Sequence, residues 1–248
     1  MKKIILSGCS GKMGRVVANI IDNRQDCEIV AGIDIHPLEA AFPVYASAEQ
    51  CPAADVIIDF SHPSCILPLL DYAKANKIPA VICTTGLGEE QLAAVKAAAE
   101  EIPVFFSANM SLGVNLMAEL CKKAAALLGA DFDVEIIEKH HNQKIDAPSG
   151  TALMLADAVA SALPHPSLYE YDRHSRRQKR DKNEIGIHAV RGGTIVGEHE
   201  VIFAGRDEVL TISHSAASKE IFAVGAVNAA LFLAQQPAGM YNMGSLVD

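Results

Sequence analysis

Hydrophobic positions in the first part of the chain follow two alternating patterns. Short, almost unbroken apolar runs are typical of strands buried on both faces of a sheet, and residues 55–60 form the clearest of these runs. Between the runs, apolar residues recur every three or four positions, as on one face of a helix. We predict strands at residues 3–7, 28–34, 55–60, 80–83 and 104–107, and helices at 13–22, 64–76 and 89–101. This alternation predicts an α/β fold with a doubly wound parallel sheet.

The pattern changes after Asn109. Helices are predicted at residues 112–128, 151–163 and 219–234, and strands at 132–138, 185–190, 194–204 and 208–214, while 169–183 is polar and lacks periodicity. Gly129 is placed to end the first of these helices, and Pro164 prevents the second from continuing. Short glycine-containing turns separate the last three strands, so we expect neighbouring strands to be antiparallel. The prediction is a second, α+β domain with a mixed sheet.

Composition and charge narrow the classes of function. The chain has 248 residues, of which 50% are hydrophobic, and a net charge of −9, which disfavours a general nucleic-acid or membrane-surface role. No apolar run is long enough to cross a bilayer, and the run after Lys3 is too short for a signal peptide. The six cysteines are scattered and lack zinc-type spacing, which predicts reduced thiols and no metal site. We therefore expect a cytoplasmic protein.

A glycine-rich turn lies between the first predicted strand and the first predicted helix. Gly8 and Gly11 let the backbone approach a pyrophosphate, and Gly14 lets the helix pack closely on the strand. The helix start offers N–H groups and a positive dipole to the phosphates. Asp34 ends the second strand, where a carboxylate can bind ribose hydroxyls. This context favours a dinucleotide site over the alternative, a tight turn without a ligand.

The choice of cofactor depends on Asp34. A carboxylate there repels a 2′-phosphate, and Ile35 and His36 follow it without an adjacent arginine. We predict that NADH is used at least as well as NADPH. Two more loops, 83–86 and 107–110, follow strands at the same edge of the sheet, and their backbone groups could lie near a nicotinamide. Ordinary turns are the alternative for both loops.

A segment in the middle of the chain carries the strongest chemical signal. His140 and His141 follow a predicted strand, and Lys144 comes shortly after them. Histidine suits acid–base catalysis, and an ammonium binds anions or delivers a proton. A helix then opens at Gly150, with Ser149 as its N-cap, and this helix start is an anion site suited to a carboxylate. Plain helix capping would explain Ser149 alone, but the whole pattern suggests hydride chemistry on a small carboxylate.

On these residues the chain resembles the 4-hydroxy-tetrahydrodipicolinate reductase family of bacterial lysine and diaminopimelate biosynthesis. The resemblance covers essentially the whole chain. It is carried by the glycine turn, Thr84-Thr85-Gly86, Asn109, Glu138-x-His140-His141-x-x-Lys144-x-Asp146-Ala147-Pro148-Ser149-Gly150-Thr151 and Arg191-x-Gly193-x-x-x-Gly197-Glu198-His199. It implies a Rossmann-like dinucleotide-binding domain at residues 1–110 and 218–248, and a substrate-binding and tetramerisation domain at 111–217.

The resemblance also implies an activity and a set of site residues. The expected reaction is NAD(P)H-dependent reduction of a cyclic imine dicarboxylate at ring C4, with loss of water, in a homotetramer. His140 is the expected acid–base group and Lys144 the proton donor, while the expected substrate-binding residues are His141, Ser149, Gly150 and Thr151. The expected cofactor-binding residues are Gly8, Cys9, Ser10, Gly11, Lys12, Met13, Asp34, Cys83, Thr84, Thr85, Ser107, Ala108, Asn109 and Met110.

Two alternative functions and one basic segment stay open. A dinucleotide-sensing protein would keep the glycine turn without needing the histidine–lysine segment. A semialdehyde dehydrogenase would need a thiol nucleophile, for which Cys83 and Cys121 are candidates by position only. The basic residues between 173 and 182 have no aromatic residues among them, so we expect a solvated, mobile loop, which could also close over anionic ligands.

Overall fold

The computed structural model describes residues 1–36, 39–107 and 109–246. The chain forms two compact units: Met1–Leu112 with Glu220–Asp248, and Gly113–Lys219. The glycine turn belongs to the first unit, and the histidine–lysine segment belongs to the second. In the described part of the chain, no helix is both long and apolar enough to cross a membrane.

The first unit is built on a seven-stranded sheet in which every pairing is parallel. Its strands are β1 (Lys2–Ser7), β2 (Cys27–Ile33), β3 (Val44–Tyr45), β4 (Val56–Asp59), β5 (Ala80–Ile82), β6 (Pro103–Phe106) and β12 (Gly239–Tyr241), in the spatial order β12-β6-β5-β4-β1-β2-β3. Its helices are α1 (Lys12–Asp22), α2 (Ile66–Asn76), α3 (Glu89–Ala98) and α6 (Glu220–Leu233). Strand order reverses between β1 and β4, which is where such sheets bind ligands.

Side chains that alternate along the strands form two cores, one on each face of this sheet. In β4, Val56 and Ile58 pack with residues of α1 and α6, whereas Ile57 packs on the other face with residues of α2 and α3. All three side chains are fully buried. The unbroken apolar run in the sequence therefore belongs to a strand that helices cover on both faces, as in other parallel sheets.

The second unit has a five-stranded mixed sheet. Its strands are β7 (Asp133–His140), β8 (Leu168–Glu170), β9 (Glu184–Arg191), β10 (Gly197–Ala204) and β11 (Val209–Ala216), in the order β11-β10-β7-β9-β8. Helices α4 (Leu112–Leu128) and α5 (Gly150–Ala160) contribute to one core with buried residues of β7, β9 and β10. Alternate residues of β7 are buried, so Glu138 and His140 lie on the same face of the strand.

One pairing predicted in this sheet is wrong. The sequence predicts that β9 and β10 are antiparallel neighbours, but β7 lies between them, parallel to β9 and antiparallel to β10. The connection between β9 and β10 crosses the end of β7, where Gly192 donates to the His140 carbonyl and Asn142 donates to the Gly193 carbonyl. The antiparallel pairing predicted for β10 and β11 is confirmed. The loop that crosses the end of β7 is nearly as short as a hairpin loop. Loop length therefore could not distinguish a crossing connection from a hairpin.

The basic segment between residues 173 and 182 is a largely exposed loop, as the sequence predicts, but ion pairs tie it to the rest of this unit. Three of its arginines, Arg173, Arg176 and Arg180, form ion pairs with acidic side chains of this unit. Glu135 of β7 accepts hydrogen bonds from both Arg173 and Arg180, each at 3.0 Å. Two of the acidic partners, Asp133 and Glu135, lie on β7, 38 to 47 positions earlier in the sequence, so the run of positive charge alone could not reveal them.

Candidate functional site

The glycine turn between β1 and α1 is shaped by close backbone contacts. Gly8 has φ +73°, a left-handed conformation, and a Cβ there would lie 2.5 Å from the carbonyl oxygen of Phe60. A Cβ on Gly14 would collide with the carbonyl oxygen of Gly8. Gly11 is the N-cap of α1 and makes no side-chain capping bond. The start of α1 therefore presents backbone N–H groups and the positive end of the helix dipole.

Asp34 directly follows β2, and its carboxylate binds the glycine turn. Asp34 Oδ2 accepts a hydrogen bond from the Ser10 backbone N–H at 3.0 Å, and Oδ1 accepts one from the His36 N–H at 2.9 Å. Each carboxylate oxygen can accept more than one hydrogen bond. These bonds fix the position of Asp34, and the carboxylate keeps capacity for a hydroxyl group of a ligand.

A buried carboxylate, Asp59, connects the loops at the same edge of the sheet. It ends β4 with no exposed surface, and it accepts hydrogen bonds from Thr84 Oγ1 at 2.5 Å and the Ser61 N–H at 3.3 Å. Burial raises the pKa of Asp59, although bonds from Ser61, Thr84 and Ser7 act in the opposite direction. The Thr84 side chain is thus turned into the protein, whereas Thr85 is exposed.

Local contacts also fix the loop after β6. Ser107 Oγ donates to the Asn109 carbonyl at 3.1 Å, and the Ser111 N–H donates to Asn109 Oδ1 at 2.8 Å. Met110 is buried in the core, and its backbone packs against Gly225 of α6. The Met110 side chain is therefore not available to a ligand. Ala108 lies outside the described residues.

The residues of the first unit fit a dinucleotide. A glycine turn, a helix start without a capping side chain and a carboxylate after β2 lie at the carboxyl edge of the sheet, beside its switch point. Of the other predicted residues in the turn, Lys12 is exposed, Ser10 and Met13 are half-buried, and Cys9 is buried in the core. Phosphates at this turn would therefore be held mainly by backbone N–H groups.

In the second unit, Glu138 makes four hydrogen bonds to three residues. Its side chain has no exposed surface, and its Oε2 lies 2.6 Å from His140 Nδ1. Its Oε1 accepts from the Ser149 N–H at 3.0 Å, and Arg191 donates to both carboxylate oxygens at 2.7 and 2.8 Å. Burial by itself raises the pKa of Glu138, but the bonds from Arg191, His140 and Ser149 outweigh it and hold that pKa below its usual value.

A second buried histidine, His199, contacts the same cluster. Its ring meets that of His140 edge-on, with centroids 5.2 Å apart, and its Nε2 lies 3.0 Å from Ser149 Oγ. Burial, followed by the charge of His140, lowers the pKa of His199 to about 4. His199 is therefore neutral near pH 7, and it supports the cluster as an uncharged hydrogen-bonding group.

Ser149 is the N-cap of α5, as predicted. Its backbone is extended, its Oγ accepts from the Ala152 N–H at 3.2 Å, and α5 begins at Gly150. Ser149 is 2% exposed, while Gly150 is exposed and Thr151 is half-buried. The buried cap and the exposed residue after it leave the positive end of the α5 dipole accessible to an anion.

Lys144 forms an ion pair with Asp146, which precedes the start of α5 by a few residues. Lys144 Nζ lies 2.8 Å from Asp146 Oδ1. The hydrogen bond from Lys144 is the main cause that holds the pKa of Asp146 below its usual range. The ammonium of Lys144 thus holds one carboxylate of the protein itself. His141 is half-buried and follows β7 directly.

Two family models match the chain in succession. The N-terminal model of dihydrodipicolinate reductase matches residues 2–110, and the C-terminal model matches residues 113–247. The chain belongs to the dihydrodipicolinate reductase family. The resemblance seen in the sequence and the predicted fold class are therefore confirmed, and the chain is an oxidoreductase that uses a nicotinamide cofactor.

Individual members of this family are similar over the full length. The chain is 54% identical over 248 residues to the 4-hydroxy-tetrahydrodipicolinate reductase of Caldanaerobacter subterraneus subsp. tengcongensis, and 47% identical over 249 residues to that of Clostridium novyi. Each alignment covers 100% of this chain and 98% of the relative. A dipicolinate-bound dihydrodipicolinate reductase from Paenisporosarcina sp. TG-14 superposes with a TM-score of 0.79 at 27% identity, covering 98% of this chain and 97% of that one.

Sequence reasoning missed several functional groups of this reductase. Glu138, Arg191 and His199 belong to motifs that carry the family resemblance, but the sequence assigns them no role. The spacing of Glu138 and His140 was a usable signal, because residues two apart on a strand share a face. Arg191 and His199 gave no such signal, since they come from β9 and β10 on either side of β7.

The two candidate cysteines, Cys83 and Cys121, are not activated nucleophiles. All six cysteines of the chain are unpaired. Burial raises the pKa of Cys121 to about 12, and burial together with the charge of Asp59 raises the pKa of Cys83 well above its usual value. A nucleophilic thiol needs a lowered pKa, so these positions do not suit a thiol-dependent semialdehyde dehydrogenase. Among the described residues, no group of three or more His, Cys, Asp or Glu side chains could hold a metal ion.

Proposed function

We propose that this chain reduces 4-hydroxy-tetrahydrodipicolinate to tetrahydrodipicolinate, with loss of water, in lysine and diaminopimelate biosynthesis. The family match supports the reaction. The structural observation that carries the proposal is the ion pair between Lys144 and the carboxylate of Asp146, a few residues before the exposed start of α5. The proposed substrate has two carboxylates, and one of them can take the place of Asp146 at Lys144, near a helix start that favours anions.

A reduced nicotinamide cofactor supplies the hydride for this reaction. Residues 8–13 and the start of α1 would hold its pyrophosphate, and Asp34 would bind a ribose hydroxyl. The loops at 83–85 and 107–110 would contact the nicotinamide end through backbone groups, because the side chains of Thr84 and Met110 are buried. These assignments follow from the position of the loops at the carboxyl edge of the sheet.

The second unit would bind the substrate and supply protons. Lys144, Gly150 and Thr151 bind carboxylate groups, and His141 lies beside them in sequence as a further contact. Ser149 contributes by capping α5 and holding its first residues in place. Loss of the substrate hydroxyl as water consumes one proton, which Lys144 donates from Nζ. His140 exchanges a proton with the reacting molecule through Nε2, since its Nδ1 is taken by Glu138.

A coupled assay tests the proposed reaction. The preceding condensing enzyme, supplied with pyruvate and aspartate semialdehyde, generates the substrate in place, and the absorbance of the reduced cofactor is followed. We expect oxidation that depends on both the condensing enzyme and this chain. A dinucleotide-sensing protein would bind the cofactor without such turnover, so a stable absorbance would contradict the proposal.

Lys144→Ala should lower kcat by about 100-fold or more, because the variant loses both the carboxylate contact and the proposed proton donor. Its affinity for NADH should stay within about twofold, since the glycine turn is in the other unit. Lys179→Ala removes an exposed lysine from the same unit and serves as the control. A kcat close to that of the parent enzyme would remove Lys144 from this role.

NADH should be used at least as well as NADPH. Asp34 is fixed by bonds from the backbone of Ser10 and His36, so it cannot easily turn away from a 2′-phosphate. We expect kcat/KM for NADH to equal or exceed that for NADPH, and Asp34→Ser to shift the ratio toward NADPH. A large preference of the parent enzyme for NADPH would contradict this assignment.

We also propose a cytoplasmic homotetramer, as the family resemblance implies. The sheet of the second unit supports this assembly, because Val190 and Val209 are 45% and 63% exposed on the face opposite to its core. Light scattering coupled to size-exclusion chromatography would measure the mass. A monomer at micromolar concentration would contradict the tetramer and leave the proposed reaction untouched.

A further inference from the structure

The hydrogen bonds around Glu138 determine where the proton of His140 resides. An ionised carboxylate only accepts hydrogen bonds. Arg191 contacts both oxygens of Glu138 in a bidentate pair, and the Glu138 side chain is fully buried. This pairing keeps Glu138 ionised, so the 2.6 Å contact with His140 requires that Nδ1 of the imidazole carries the proton.

Gly197 lies beside the opposite nitrogen of the imidazole, Nε2. A Cβ at position 197 would lie 3.1 Å from His140 Nε2, closer than side chains normally approach. Glycine therefore leaves space beside Nε2. In the neutral ring with Nδ1 protonated, this Nε2 carries the lone pair, so it is the nitrogen that can accept a proton and later donate it.

Arg191 extends this arrangement to the substrate segment. Besides Glu138, it donates to the carbonyl of Asp146 at 2.6 Å. Glu138 in turn accepts from the N–H of Ser149 at the start of α5. Glu138, which holds the His140 ring, and its partner Arg191 thus hold both ends of the segment between Asp146 and Ser149, which leads into the proposed carboxylate site.

We propose that Glu138, paired with Arg191, is a positioning residue that fixes His140 as the Nδ1–H tautomer and leaves Nε2, beside Gly197, as its proton-exchanging nitrogen. The inference rests on the proposed function only for the role of His140 in turnover. A carboxylate that fixes the tautomer of a catalytic histidine is a known device in hydrolases and metal sites. Here the carboxylate, the arginine and the glycine come from three neighbouring strands, β7, β9 and β10.

The variant Glu138→Gln should reverse the tautomer. The oxygen of the new amide is best placed where Oε1 now receives the Ser149 N–H and one Arg191 N–H. The amide NH2 then faces His140 Nδ1, which must accept, so the proton moves to Nε2. Nitrogen-15 spectra of the histidine-labelled protein distinguish the two tautomers, and His140→Gln identifies the signals of His140. These spectra require no cofactor, substrate or turnover.

We expect Nδ1–H in the parent protein, Nε2–H in Glu138→Gln, and a fall in kcat of about 100-fold or more. NADH affinity should stay within about twofold, because its site is in the other unit. Glu135→Gln is a matched control: this carboxylate lies on the opposite face of β7, 2.8 Å from His188 Nε2, and also accepts from arginines. It should leave the His140 tautomer and kcat unchanged.

Gly197→Ala is an independent test of the space beside His140 Nε2. It can be measured even if Glu138→Gln does not fold. It should keep the Nδ1–H tautomer and lower kcat by at least about 10-fold, because the new methyl group crowds Nε2. An Nε2–H tautomer in the parent protein would overturn the inference, as would a full kcat in Gly197→Ala. A fall in kcat of Glu138→Gln without a change of tautomer would also overturn it. If the parent enzyme does not turn over the proposed substrate, the proposed function fails while the spectra still judge the positioning role.

Discussion

At the scale of single residues, two buried carboxylates have opposite electrostatic surroundings. Asp59 accepts from the neutral donors Thr84 and Ser61, and burial raises its pKa. Glu138 is equally buried but is paired with Arg191, which outweighs the effect of burial and lowers its pKa. Asp59 therefore connects loops through neutral hydrogen bonds, whereas Glu138 provides a permanent charge beside His140.

Gly14→Ala should abolish tight NADH binding. The new Cβ would collide with the backbone of Gly8 and Cys9, so α1 or the turn must move. We expect NADH affinity to fall by about 100-fold or more, because the backbone N–H groups of the turn would be displaced. Isothermal titration with NADH measures the affinity directly.

Gly88→Ala is the control for this substitution, since a Cβ there meets only the flexible end of Gln91, at 3.0 Å. It should change NADH affinity by less than about twofold. Unchanged binding in Gly14→Ala would mean that the turn does not hold the cofactor as we describe.

The sequence predicts single residues where chemistry and spacing are local. The N-cap at Ser149 is confirmed, while the roles of His140 and Lys144, which lie in the same short segment, stay predictions. The partners of Glu138 could not be predicted in this way. Arg191 is 53 positions away in sequence, and His199 is 50 positions from Ser149. Only the order of strands in the sheet brings them together.

At the scale of elements, the start of α5 joins stability to the proposed substrate site. Ser149→Ala removes the capping bond to Ala152 and leaves His199 Nε2 without its partner. We expect the free energy of unfolding to fall by about 1–3 kcal/mol. The affinity for dipicolinate should fall as well, because the first residues of α5 lose their support. Urea denaturation and calorimetric titration measure the two effects.

The other end of α5 provides the control for the cap. Ser161 follows the helix and donates from Oγ to the Ala158 carbonyl on an exposed surface. Ser161→Ala should change the free energy of unfolding by less than about 0.5 kcal/mol and leave dipicolinate binding unchanged. Equal losses of unfolding free energy in Ser149→Ala and Ser161→Ala would mean that Ser149 has no special role at the N-terminus of α5.

Elements were predictable where their hydrophobic pattern is long. The described elements of the first unit agree with the predicted ones to within three residues at each end, apart from the very short β3 and β12. β3 and β12 have two and three residues, too few to show a periodic pattern, whereas β5 is equally short but lies in an apolar run between two predicted helices. The position of β7 between β9 and β10 could not be predicted from loop length. Strand pairing depends instead on which strand has the apolar face that fits the centre of the sheet.

At the scale of the whole molecule, acidic pH should weaken the fold through groups that are buried or paired. Burial lowers the pKa of His199 from 6.5 to about 4. Between these values the unfolded chain binds a proton at this histidine and the folded chain does not, so stability rises with pH across that interval. Glu135, Glu138 and Asp146 have lowered pKa values, so their contribution is present above pH ~4.5 and is lost as pH falls through their folded-state values.

The parent enzyme should therefore lose stability progressively below pH ~6.5, and His199 alone should account for roughly 3 kcal/mol of the loss by pH ~4. His199→Gln can keep a hydrogen bond to Ser149 but cannot take up a proton in this range, so its Tm should depend less on pH between those limits. His174→Gln replaces an exposed histidine of the same unit and should follow the parent curve. Differential scanning calorimetry of the three proteins from pH 7 to 4 makes the comparison. If His199→Gln loses Tm as steeply as the parent over this interval, the buried neutral histidine is not what makes this reductase sensitive to acid.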